Sequence, residues 1–176
     1  MPETTSLILT LLGPDRPGLV ESLASAVASQ NGNWVESRMC RLGGQFAGIV
    51  RIECPTATAA PLETALRALS GRGLRIELVR ESSAPPPTDG ALAEIEIVGQ
   101  DRPGIVHQLS AALAARAVNV EEMRSGCESA PMSGERLFRA RFRVRIPKGV
   151  SVAALRTEVA RVGDDLVADV TFEPGA

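Results

Sequence analysis

Hydrophobic and polar residues along the first half of the chain follow two periods, one typical of strands and one of helices. An apolar run at 6–12 predicts a strand, and apolar positions at helical spacing over 17–31 predict a helix that Gly32 ends. Gly43 and Gly44 indicate a tight hairpin between two further strands. The remaining predicted elements are strands at 33–42 and 45–53, a helix over 62–69 and a strand at 75–80.

The same order returns in the second half of the chain. It predicts a strand at 91–98, a helix at 103–116, strands at 118–127 and 136–146, a helix at 151–163 and a strand at 166–172. Each copy is therefore a β-α-β-β-α-β unit of the ferredoxin-like α+β class. We expect a four-stranded antiparallel sheet in the order 4-1-3-2, with two helices on one face. The predicted domains are 1–81 and 91–176, joined by a stiff, proline-rich linker at 82–90.

One motif occurs in both copies, at the turn between the first strand and the first helix. Residues 13–18 read Gly-Pro-Asp-Arg-Pro-Gly, and residues 99–104 read Gly-Gln-Asp-Arg-Pro-Gly. Asp15 and Asp101 are 86 positions apart, and so are Asn33 and Asn119. The second copy has additional residues in its hairpin loop, 128–135. Two explanations are open: these residues give the second copy a different specificity, or they arose by drift.

The D-R-P-G turn predicts a strand, a tight turn and a helix N-terminus. We expect the two aspartates to be N-caps and the two prolines to lie in the first helical turn. Gly13 and Gly99 indicate an unusual φ or a close backbone approach, and Gly18 and Gly104 leave the helix amides uncovered. An open helix N-terminus favours anions. The alternative is a well-capped helix that binds nothing.

A β-α-β-β-α-β unit with G-x-D-R-P-G at its first strand–helix turn resembles the ACT domain, a small regulatory module that senses amino acids. Two such units with a proline-rich linker resemble the glycine cleavage system transcriptional repressor family over about 6–172. The resemblance implies a cytoplasmic regulator that senses a small amino acid, glycine or serine first. It also implies action on transcription through a DNA-binding partner protein. The alternative is an accessory subunit that regulates a metabolic enzyme by direct contact.

In ACT domains the turn and the following strand line a ligand site at a domain interface. We therefore expect Asn33 and Asn119 to face the turns, since a side-chain amide both donates and accepts hydrogen bonds. The alternative for each asparagine is a turn residue with left-handed φ. The predicted ligand-binding residues are Gly13, Asp15, Arg16, Pro17, Gly18, Asn33, Gly99, Asp101, Arg102, Pro103, Gly104 and Asn119.

Composition argues against several other functions. Net charge is −2 and aromatic residues are 3% of the chain, which disfavours direct nucleic-acid binding. No apolar run reaches the roughly 20 residues that span a membrane, and the N-terminus lacks a basic signal-peptide region. Cys40, Cys54 and Cys127 fit a reducing compartment and small buried side chains, without metal-ligand spacing. With His107 expected on the surface, we predict no enzyme, no metal and no cofactor.

The predicted outer sheet faces of the two copies differ. In the second copy an arginine row at 139–145 stands beside Glu94 and Glu96, which favours a charge-compensated face over a phosphate site. In the first copy the equivalent face is largely apolar, which predicts that the second copy or a second chain covers it. A homo-oligomer formed through ACT sheets is therefore expected. The apolar face consists of Ile8, Thr10, Leu12, Ala47 and Ile49.

The balanced charge generates a prediction about DNA. The purified protein alone should give no specific shift of any DNA fragment at physiological salt in a gel-shift assay, because it lacks a basic recognition helix. Tight, sequence-specific binding by the protein alone would contradict the argument from composition.

Overall fold

The structure is a computed structural model that describes residues 3–81, 89–129 and 134–174. The chain divides into two compact units, Met1–Pro85 and Pro86–Ala176, which we call the first and second domains. Residues 82–88 of the predicted linker and 130–133 of the predicted hairpin loop lie outside the described residues. Across the described ranges, no helix is both long and apolar enough to cross a membrane.

Each domain has the predicted β-α-β-β-α-β order. The first domain consists of β1 (Thr4–Pro14), α1 (Leu19–Ser29), β2 (Asn33–Leu42), β3 (Gln45–Pro55), α2 (Ala59–Ala68) and β4 (Arg75–Arg80), with 3₁₀ turns at Thr56–Thr58 and Leu69–Arg72. The second consists of β5 (Ala91–Gln100), α3 (Ile105–Ala114), β6 (Asn119–Ser129), β7 (Arg136–Ile146), α4 (Val152–Leu166) and β8 (Ala168–Pro174).

The sheet topology confirms the predicted fold class. The strand orders are β2-β3-β1-β4 and β6-β7-β5-β8, which is the expected 4-1-3-2 arrangement in both copies. Every pairing is antiparallel. In each domain the first strand is therefore central, and the hairpin that joins the second and third strands lies beside its C-terminal end.

Alternation along the central strands places the core on one face of each sheet. In β1, Leu7, Leu9 and Leu11 are at most 1% exposed, and the helices α1 and α2 pack over them. In the second domain Ile95 and Ile97 of β5 occupy the same role beneath α3 and α4. Burying a large aliphatic side chain contributes about 1.5–3 kcal/mol, so the two helices are held by this face.

Several element boundaries differ from the predicted ones. The strand predicted at 6–12 extends to Thr4–Pro14, because its ladder with β3 continues past the apolar run, from the Thr4–Pro55 pair to the Pro14–Gln45 pair. The helix predicted from residue 17 begins at Leu19, because Gly18 is left-handed. The last helix continues to Leu166 rather than ending at 163, since that leucine belongs to the core.

The first glycine of each repeated motif allows a close backbone approach, which is one of the two predicted reasons for its presence. A Cβ atom on Gly13 would lie 2.8 Å from the carbonyl oxygen of Gly73 and 2.8 Å from the Leu74 side chain. A Cβ on Gly99 would lie 2.6 Å from the Cβ of Ala168. Neither glycine has a positive φ. The close neighbours lie immediately before β4 in the first domain and at the first residue of β8 in the second, so these glycines let the fourth strand join the sheet.

Gly13→Ala should lower the free energy of unfolding of the first domain by about 1–3 kcal/mol, because its methyl group would overlap backbone that cannot easily move. Trp34, the one tryptophan of the chain, packs on the core of this domain, so its fluorescence in a urea titration reports the transition. Gly71→Ala is the matched control, since a Cβ there meets nothing within 4 Å. An equal loss in the two variants would contradict the role of Gly13.

Candidate functional site

The helices that follow the two D-R-P-G turns begin in the same way. The N-cap residues are Gly18, with φ 87°, and Gly104, with φ 97°, both in the left-handed region that favours glycine. Among the described residues, neither helix receives a hydrogen bond from a capping side chain. By contrast, the Ser151 hydroxyl accepts a hydrogen bond from the Ala154 N–H at 3.3 Å and caps α4. The two turns therefore present helix N-termini whose first amides lack a side-chain acceptor.

The prediction that Asp15 and Asp101 are N-caps is wrong. The Nε of Arg41 donates to Asp15 Oδ2 at 2.6 Å, and the Nε of Arg136 is 3.0 Å from Asp101 Oδ2. The backbone N–H groups of the same aspartates donate to the carbonyls of Gly44 and Arg136, at 2.9 and 3.0 Å. Each aspartate lies three residues before the helix N-cap, so its carboxylate binds the neighbouring hairpin instead of the helix.

The two arginines were missed because they come from different places in the repeat. Arg41 is near the end of β2, whereas Arg136 begins β7. The contact could have been predicted from the strand order, which places the hairpin of each domain beside the turn that follows the central strand. An arginine at either end of that hairpin lies within reach of the aspartate.

The remaining turn residues lie at the surface. Arg16, Pro17 and Pro103 are exposed. Arg102 is also exposed, and its Nη2 donates to the carbonyl oxygen of Asp165 at 3.3 Å. That bond connects the second turn to the C-terminal end of α4.

The structure does not bring Asn33 to the turn of its own domain. Asn33 begins β2 and pairs with Glu53, which pairs with Ser6 near the start of β1. The turn follows the other end of β1, at Pro14, which is eight residues and about 26 Å farther along the strand. Asn119 begins β6 in the equivalent position.

Both asparagines are exposed, and neither lies at the turn of its own domain. The left-handed alternative does not describe them either. The positive φ values close to them in sequence belong to Asn31 and Ala117, at 53° and 54°.

The arginine row of β7 forms the charge-compensated surface that was predicted. Glu96 Oε1 accepts hydrogen bonds from Arg139 Nη1 at 2.6 Å and Arg141 Nε at 3.0 Å. Both bonds lower the pKa of the Glu96 carboxyl, and the bond from Arg139 has the larger effect. A surface cavity of about 250 Å³ on this face is lined by Glu94, Glu122, Arg124, Arg141, Phe142 and Arg143. Because both signs of charge line it, the face is not organised as a phosphate site.

Residues that would carry enzyme or metal chemistry are dispersed. His107 is exposed on α3, as expected. Cys54 is buried and its burial raises the pKa of the thiol, whereas Cys40 and Cys127 are exposed, contrary to the expectation of three small buried side chains. These two lie on the edge strands β2 and β6, which contribute little to the core. Within the described ranges, no group of three potential metal ligands is present.

Comparison with known proteins shows similarity to the ACT domain and to a transcriptional repressor. Residues 5–77, nearly the whole first domain, match the family model of the ACT domain. The chain is 27% identical over 156 residues to the glycine cleavage system transcriptional repressor of Escherichia coli K12, covering 88% of this chain and 80% of that protein. A crystal structure of an unknown protein from Galdieria sulphuraria superposes with a TM-score of 0.87 at 30% identity, covering 99% of this chain and 100% of that one.

A further relative is an enzyme. The chain is 26% identical, over an alignment 179 positions long, to the phosphoserine phosphatase SerB2 of Mycobacterium tuberculosis. The match covers 98% of this chain but 42% of the phosphatase, so more than half of that protein has no counterpart here.

The Glu96 network generates a prediction about pH. Because the folded-state pKa of Glu96 is lowered, its contribution to stability is complete above the ordinary glutamate value of 4.5 and is lost as pH falls through the lowered value. Glu96→Gln should therefore destabilise the second domain at pH 7, and by a smaller amount at pH 3. Urea unfolding followed by circular dichroism measures both differences.

Glu94→Gln is the matched control for this experiment. Glu94 is on the same strand and the same face, and it forms no ion pair with any residue that the structure describes. A Glu96→Gln effect that stays constant from pH 7 to pH 3, or that Glu94→Gln reproduces, would contradict the assignment.

Proposed function

We propose that the chain, whose first domain matches the ACT domain and whose second domain repeats the same fold, binds a small amino acid at its D-R-P-G turns and acts on transcription through a DNA-binding partner protein. Glycine and serine are the first ligands to consider. The observation that carries the proposal is the pair of helix N-termini at Gly18 and Gly104. Both lack a capping side chain among the described residues, although α4 of the same protein has one.

The chemistry of an amino acid suits this turn. The ligand carboxylate accepts hydrogen bonds from the first amides of the helix, and the positive end of the helix dipole favours its charge. The left-handed glycine at the N-cap has no side chain to occupy that space: a Cβ on Gly18 would meet nothing within 4 Å. Asp15 and Asp101 act indirectly, because their contacts with Arg41 and Arg136 fix the turn against the hairpin.

The proposed site at each turn does not include the asparagine of the same domain. Asn33 and Asn119 lie about 26 Å from the turns of their own domains.

A role in transcription is supported by the similarity to the glycine cleavage system transcriptional repressor. Action through a partner fits a net charge of −2, which provides no electrostatic attraction to DNA. The second candidate is an accessory role in which the chain regulates a metabolic enzyme by direct contact. The similarity to a phosphatase favours this role.

Affinity capture from extracts of the source organism, with and without glycine or serine, distinguishes the two candidate functions. Amino-acid-dependent recovery of a DNA-binding protein supports the first, and recovery of a biosynthetic enzyme supports the second.

Binding can be tested by isothermal titration calorimetry with glycine, serine and the other amino acids. We expect the double variant Gly18→Asn and Gly104→Asn to bind the ligand at least about tenfold more weakly, equivalent to about 1.4 kcal/mol. Asparagine tolerates left-handed φ better than other non-glycine residues, so the turn is kept while a side chain covers the amides.

Gly149→Asn is the matched control. Gly149 also has a left-handed φ, 92°, and a Cβ there would meet nothing within 4 Å. It follows β7, at the end of the sheet opposite the D-R-P-G turn. Equal affinity of the double variant and the wild type would remove the turns as the site. No heat with any amino acid would remove the proposed ligand class.

A further inference from the structure

The outer face of the first sheet has an apolar centre that the second sheet lacks. We call Ile8, Leu12, Ile49 and Val79 the apolar patch. Leu12, Ile49 and Val79 are 41%, 54% and 63% exposed, and Ile8 is half-buried. Ile8 pairs directly with Val79, and Leu12 and Ile49 lie on the two central strands.

The repeat supplies an internal comparison for this patch. Matching the sheet registers of the two domains gives Glu94, Val98, Arg141 and Glu173 as the counterparts of the four apolar residues. Three of the four counterparts are charged. The same scaffold therefore carries a charged outer face in one domain, and fold requirements alone do not explain the apolar face of the other. A cluster of exposed aliphatic side chains on one sheet is typical of a binding surface.

Charges at the rim of the patch indicate what it binds. One row across the sheet reads Arg38, Ile49, Thr10 and Glu77, with Arg38 on the edge strand β2 and Glu77 on the opposite edge strand β4. Glu77 is exposed and forms no ion pair with any described residue. Arg38 also donates to Glu36 Oε1 on the same strand at 3.1 Å. Within this row the rim therefore has an arginine at one edge and a glutamate that lacks an ion pair among the described residues at the other.

This arrangement is complementary to a second copy of itself. When two such sheets face each other about a two-fold axis parallel to the strands, β4 of one lies over β2 of the other. Glu77 then faces Arg38 of the second copy, and symmetry repeats the contact at the other edge. A two-fold axis across the strands would instead place Glu77 over its own equivalent, and like charges repel.

We propose that two copies of the chain associate through the outer faces of their first-domain sheets, with the apolar patch at the centre and Glu77 of each copy facing Arg38 of the other. Aligned packing of two sheets about 10 Å apart leaves room for both side chains to meet. A sheet face covered with paired charges is a poorer occupant, because its ion pairs would lose their hydration against the patch. The proposal is independent of whether the turns bind an amino acid.

The association can be measured by sedimentation equilibrium of the full chain. We expect a wild-type dimer and an Ile49→Asp variant whose dimer dissociation constant is raised at least about tenfold. Val20→Asp is the matched control, because Val20 is 46% exposed but lies in the first turn of α1, on the other side of the sheet, where an acidic residue suits the helix dipole. Circular dichroism verifies that each variant is folded.

A charge exchange tests the orientation of the two copies. Glu77→Arg and Arg38→Glu should each weaken the dimer, since each places like charges face to face, and the double variant should restore it. A monomeric wild type, or an Ile49→Asp variant that dimerises as well as Val20→Asp, would overturn the proposed interface. A double variant no stronger than the single ones would overturn the two-fold arrangement.

Discussion

One-sided burial of each sheet is the constraint on which the rest of the molecule depends. Alternation along β1 and β5 directs three or more aliphatic side chains of each strand to the same face, where they are essentially inaccessible to water. Both helices of a domain must cover that face, so the chain has to turn sharply at the end of the central strand and run back. The D-R-P-G motif forms that turn. The other face has no part in the core, and the two domains use it differently.

The turn allows the fourth strand and the first helix to pack against the central strand, and it leaves the N-terminus of that helix without a side-chain cap. Gly13 and Gly99 let the fourth strand approach, and Gly18 and Gly104 adopt the left-handed conformation from which the helix begins. The aspartates between them bind the hairpin through Arg41 or Arg136. Two different arginines make the same contact in the two copies, which indicates that the constraint is on the aspartate and the hairpin rather than on one sequence position.

The sequence predicted the fold because its strongest signals are local. Alternation in β7 and the Gly43-Gly44 hairpin depend on neighbouring residues, and the structure has both as expected. The role of Asp15 could not be obtained in this way, because its partner Arg41 is 26 positions away and competes with the helix amides. The placement of Asn33 was derivable from topology: a strand that follows the first helix begins at the far end of the sheet. Burial of Cys40 and Cys127 was predicted from residue type, whereas their edge strands determine their exposure.

The central claim is that the helix N-termini at the D-R-P-G turns bind an amino acid. Titration of the ¹⁵N-labelled protein with glycine and serine, followed by two-dimensional NMR, tests it directly because each backbone amide is observed separately. Binding at the turns should give saturable shifts of the first helix amides, Leu19 and Val20 or Ile105 and Val106. Shifts confined to the outer sheet face around Glu94 and Arg141, or no saturable shift with any amino acid, would contradict it.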